Sequence, residues 1–180
     1  MRSRLSFLGL MMMLISLSLP LQAQEAGTPA PRTPPRTDAP LPAFPNNCAA
    51  LPLVGGEGSQ VTKEISPPAV NVPIGPASIG THNNWHTDWY ISSDHAYKSF
   101  KVMLMIHSDR EYDIAMYLKY PDNKKQRFYR EQRVNLKANQ LITVDATPNR
   151  SDLEPYQVNT NIGGIQAVGA RYTVAVAGCR

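Results

Sequence analysis

From Asn84 to the end of the chain the apolar residues recur at every second position, a period that excludes most folds before composition is considered. Trp85, Thr87, Trp89 and Ile91 alternate with His86, Asp88 and Tyr90, and Phe100, Val102, Leu104 and Ile106 alternate with Lys101, Met103, Met105 and His107. Successive side chains of an extended strand point to opposite faces, whereas a helix needs a repeat near 3.6. The alternation returns in Tyr112, Ile114, Met116, Leu118 and Tyr120, after which Pro121-Asp122-Asn123 supplies a turn. A run over 127–136 sets Phe128, Val134 and Leu136 against Tyr129, Glu131 and Arg133. Runs over 141–146, 156–162 and 170–177 complete the set, with Gly163-Gly164 predicting a hairpin between the last two.

About seven or eight strands at roughly ten-residue spacing, without a helical repeat, predict an all-β domain. The expected form is an antiparallel β-sandwich, jelly-roll-like, with a small closed β-barrel as the alternative. Between Asn46 and Gly80, short apolar pieces broken by Gly55-Gly56 and Pro67-Pro68 read as short edge strands.

The N-terminus has a different grammar. Arg2 and Arg4 precede an apolar run from Leu5 to Leu19, then Pro20 and the small residue Ala23. This is the form of a cleavable secretory signal over 1–23, and about 15 apolar residues fall short of the roughly 20 that cross a bilayer. The expected destination is secreted or periplasmic, with no transmembrane anchor after cleavage. Residues 24–45 hold seven of the chain's 16 prolines and few apolar side chains, and so read as a disordered, partly polyproline tether leading to a single domain over 46–180.

Export delivers the only two cysteines, Cys48 and Cys179, to an oxidising compartment. They stand at opposite ends of the domain with no CxxC or Cys/His grouping, so a Cys48–Cys179 disulfide is expected, with pairing between chains as the competitor.

Charge is polarised within the domain. The segment 119–137 carries seven basic residues against two acidic ones. Lys124, Lys125, Arg127, Arg130 and Arg133 are its candidate contacts for an anionic ligand, and lysine or arginine on an edge strand equally guards against edge-to-edge aggregation. His86 and Asp88, two apart on a strand, are a candidate metal pair that needs a third ligand. Trp85 and Trp89 share the parity of Ile91, which assigns both to the core rather than to a sugar-stacking surface.

Catalysis has little support. The sequence holds no GxSxG, no HExxH, no phosphate-binding glycine loop and no nucleophilic cysteine context, and no cofactor is expected. Export and the absence of a recognised module argue against nucleic acid as a partner. The expectation is a non-enzymatic binding or structural module for an anionic glycan or cell-envelope component, with a polysaccharide- or cell-wall-acting hydrolase as the alternative.

Overall fold

A computed structural model describes residues 38–74 and 77–180; the expected signal and most of the expected tether lie outside the described residues. The chain forms strands β1 (Cys48–Ala50), β2 (Gln60–Glu64), β3 (Val70–Ile74), β4 (Ala77–Thr81), β5 (His86–Tyr90), β6 (Ser99–Ile106), β7 (Arg110–Lys119), β8 (Lys125–Leu136), β9 (Leu141–Ala146), β10 (Gln157–Gly163) and β11 (Arg171–Cys179). They build an antiparallel β-sandwich of two sheets. One, sheet A, has the order β1-β11-β6-β9, with β2 also on β11; the other, sheet B, has the order β5-β10-β7-β8. β3 and β4 pair with each other as a separate hairpin.

The seven long strands coincide with the seven alternating runs, and the larger total comes from the short strands of residues 48–81. Alternation supplies the core directly. Ile114, Met116 and Leu118 of β7 and Val158 and Ile162 of β10 meet Phe100, Val102, Leu104, Val174 and Val176 of sheet A, all buried. Met103, Met105 and His107, which alternate with the core residues of β6, are buried as well. At one end of that face, Thr62 and Thr173 share a hydrogen bond of 2.7 Å, Thr173 meets His107 Nε2 at 2.7 Å, and Asp38 pairs with Arg171 at 2.6 Å beside the His107 ring.

One expectation is corrected at Gly163-Gly164. β10 and β11 belong to different sheets, so the link between them crosses the sandwich and is not a hairpin turn. Gly164 has φ 113° and leads into a single 3-10 turn at Ile165–Ala167, and Gly169, at φ 77°, redirects the chain into β11. The turn at Pro121-Asp122-Asn123 does close a hairpin, β7–β8, with Asn123 at φ 63°.

The segment between β1 and β2 straps the edges of both sheets. Leu53 bridges to Trp89 of β5, and Tyr90 N–H donates to the Pro52 carbonyl at 2.9 Å. Cys48 and Cys179 sit directly opposite each other in the β1–β11 register, Cα atoms 4.0 Å apart, and are joined by a disulfide. The Arg180 N–H donates to the Asn47 carbonyl just outside the pair. Cys48 and Cys179 thus form a non-hydrogen-bonded pair, where facing side chains approach most closely.

Candidate functional site

Sheet B has one face in the core and one turned outward, and its register lays the outward residues in rows. His86, Asn161, Ala115 and Arg130 form one row across the four strands, and Asp88, Asn159, Tyr117 and Arg127 form the next. A third row holds Tyr90, Gln157, Lys119 and Lys125. The outward side chains of β10 are therefore all amides up to Gly163. Amides are depleted in strands because they contribute little to a packed sheet. Three of them alternating with Val158, Thr160 and Ile162 are the sequence signal for this face, one that charge does not carry.

β8 supplies the basic side by an irregular route. Tyr129 stands opposite Met116, Arg127 opposite Tyr117 and Arg130 opposite Ala115, so the strand carries one extra residue at Phe128. Phe128 and Tyr129 both pack against the core. That bulge resets the parity: Arg127 and Arg130, three apart and thus on opposite faces of a regular strand, emerge on the same one. The simple alternation expected for 127–136 fails there for this reason. A second irregularity follows where Arg133, at φ 54°, sits outside the regular pairing. The Asp113 carboxylate fixes it by accepting the Arg133 backbone N–H at 2.9 Å.

Of the two tryptophans assigned to the core, Trp85 packs against it only in part. Trp89 is in the core, its Nε1–H donating to the Ser59 carbonyl at 3.1 Å. The Trp85 indole instead lies flat over Gly163, where any β-carbon would overlap the ring, while its Nε1–H is held by the Ser66 carbonyl at 2.9 Å. Parity fixes where a Cβ leaves the backbone within a strand, but a residue just before the strand can swing its ring around the sheet end when the neighbour is glycine.

These pieces enclose a cleft of about 340 Å³, lined by Trp85, Tyr117, Arg127, Arg130, Glu131 and Asn161, among others. At Asp113 it meets a second hollow of about 190 Å³ lined by Glu111, Arg133, Gly164 and Ile165. Neither Arg127 nor Arg130 has a carboxylate within ion-pair distance among the described residues, and Asn161 makes no side-chain hydrogen bond there. The other candidate cations are engaged or elsewhere. Arg133 Nε donates to Glu111 at 3.2 Å, Lys124 is 3.5 Å from Asp122, and Lys125 lies with Lys124 near the β7–β8 turn, lining two separate open hollows beside Tyr120.

His86 and Asp88 do share the outer face. Asp88 Oδ1 already accepts from Lys119 Nζ at 2.7 Å and Asn159 Nδ2 at 2.9 Å, and no group of three or more histidine, cysteine or acidic residues able to hold a metal occurs among the described residues.

A further cavity of about 220 Å³ lies between the loops that follow β5 and β9. Its polar and aromatic groups are largely committed. The Tyr97 ring covers Gly178 and stacks on His95 at 5.6 Å, and Arg150 lies over the Tyr120 ring while bonding Asp122 and Asp152 at 2.6 Å each. Those bonds hold both carboxyls below the usual carboxylate range. The sheet B cleft, with unpaired guanidinium groups and a free amide, is the better equipped to bind.

No protein-family profile and no curated protein matches the chain. Among solved structures it is similar to the C-terminal family 22 carbohydrate-binding module of Clostridium thermocellum Xyn10B, at 9% identity over 76% of this chain and 97% of that one, with a TM-score of 0.38.

Proposed function

We propose that the chain is a non-enzymatic binding module, secreted or periplasmic, that holds an acidic glycan or cell-envelope component on the outer face of sheet B. The observation that carries this reading is the cleft in which unpaired Arg127 and Arg130 face Trp85, Tyr117 and Asn161. A sugar presents hydroxyls, an apolar C–H face and, when acidic, a carboxylate. Amides bond the first, aromatic rings cover the second, and a guanidinium fork meets the third with two parallel hydrogen bonds. No helix among the described residues is long and apolar enough to cross a membrane, and export through a cleaved leader predicts a mature N-terminus at Gln24, which sequencing of the exported protein checks.

Affinity electrophoresis through gels containing an acidic or a neutral polysaccharide tests the binding. Retention by the acidic gel alone, falling with salt as exposed charges are screened and lost in the Arg127→Gln/Arg130→Gln variant, is the expected outcome. Equal retention by the neutral gel, or an unaffected variant, overturns the reading. The hydrolase alternative draws on Asp113 and Glu131, which both line the cleft. Asp113 already serves the Arg133 amide, and new reducing ends after incubation with the same polysaccharides would favour catalysis over binding.

A further inference from the structure

The cleft is elongated, and its direction follows the strand. Asp113, Ala115 and Tyr117 of β7 form its floor, and the adjoining hollow extends that floor back to Glu111. The six steps of strand from Glu111 to Tyr117 make a groove of about 20 Å. Ala115 is the low point of that floor, between the larger side chains of Asp113 and Tyr117. Past Tyr117 the outer face of the sheet continues as Lys119, Gln157 and Tyr90.

The walls are unlike each other. β8 contributes Arg127 and Arg130, followed by Glu131 and by Arg133, which Glu111 engages; the opposite side contributes Trp85, Asn161 and the Gly164-Ile165 backbone, none of it charged. Arg127 and Arg130 stand opposite Tyr117 and Ala115, two residues apart on β7, which spaces them by about 7 Å along the groove. A free monosaccharide has no use for two such guanidiniums in file beside a neutral wall. A chain lying along β7 with a charge repeating on one edge uses both. Two free cations suit single charges on successive sugars better than dense sulfation, where many anions would face neutral side chains.

Building on the preceding reading, we infer that the ligand is an internal stretch of a linear carboxylated polysaccharide, lying along β7 with its carboxylates toward β8. Calorimetric titration of the exported protein with oligogalacturonides, from the monomer to the hexamer, tests this. Affinity should climb by about tenfold or more with length, level once the oligomer spans the groove, and be unchanged when the reducing end of the hexamer is reduced. Ala115→Trp, which fills the floor while leaving both arginines in the chain, should weaken the hexamer by about tenfold at an unchanged melting temperature, and Ala115→Leu should act in the same direction if the larger ring disturbs the fold. A monomer that binds as well as the hexamer, sensitivity to the reduced end, or indifference to both Ala115 variants overturns the inference while leaving an acidic-glycan module intact. Binding of dextran sulfate without any oligogalacturonide overturns the carboxylate assignment. Failure of every acidic saccharide sinks the underlying reading as well.

Discussion

The two faces of sheet B are cut from the same four strands, yet they answer to different demands. The inner face reads Trp89, Val158, Leu118 and Gln126 across the sheet; the outer face one residue away reads Asp88, Asn159, Tyr117 and Arg127. Period two lets one backbone serve a core and a polar outer surface at once, and on the proposed reading the cost of a substitution changes from stability to binding over a single residue. What alternation alone does not provide is the arginine pair, which the Phe128 bulge brings to the outer face.

The largest expected effect leaves that division untouched. Replacing Cys48 and Cys179 by serine should lower stability by at most about 4 to 5 kcal/mol on the chain-entropy account, read from urea unfolding. Glycan retention under native conditions should hold, because the bridge lies in sheet A. A variant that stays folded but loses binding would show the two sheets to be coupled. Trp89→Ala, on the inner face, should cost about 3 to 5 kcal/mol, with affinity per folded molecule unchanged.

Gly163→Ala crosses the boundary. Its new methyl displaces the Trp85 indole, so about 1 to 3 kcal/mol of stability and the cleft wall should be lost together; a thermal melt and a binding curve on one sample decide it. Tyr117→Ala should shift stability by only about 0.5 kcal/mol while weakening binding about fivefold, the worth of an aromatic contact. The smallest effect is in acid. Asp122 and Asp152 titrate lower in the folded chain than in the unfolded one because Arg150 hydrogen-bonds their charged forms. Their contribution is therefore complete above the unfolded value, near 3.9, and is lost as pH falls through the lower folded values. Arg150→Gln should flatten that part of the stability profile, and an unchanged acid limb would refute it.

Much of this architecture is legible in the sequence because alternation is a local property. Strands β5 to β11, the β7–β8 turn and the core residues of β7 follow from it directly. The strap through Leu53, the sheet-crossing after Gly164 and the burial of Met103 and Met105 do not, since each depends on which sheet a strand joins, a choice made by long-range packing. The site was half legible. A basic segment is visible in composition, but composition does not separate Arg127 and Arg130 from Arg133 and Lys124, which Glu111 and Asp122 engage. The adjacent aromatics Phe128 and Tyr129, both needing the core, were the available sign of a bulge. The amides of β10 were the sign of a polar face.

The bridge between Cys48 and Cys179 also has a mechanical meaning. A pull applied from the N-terminal side of the domain enters through the residues before Cys48. Without the bridge that load would fall on β1, three residues of edge strand that peel one bond at a time. With it, the force passes across one covalent link into β11, which is flanked by β6 along one edge and by β1 and β2 along the other. The whole of sheet A then bears the tension, so single-molecule pulling should find a markedly lower rupture force once the bridge is reduced.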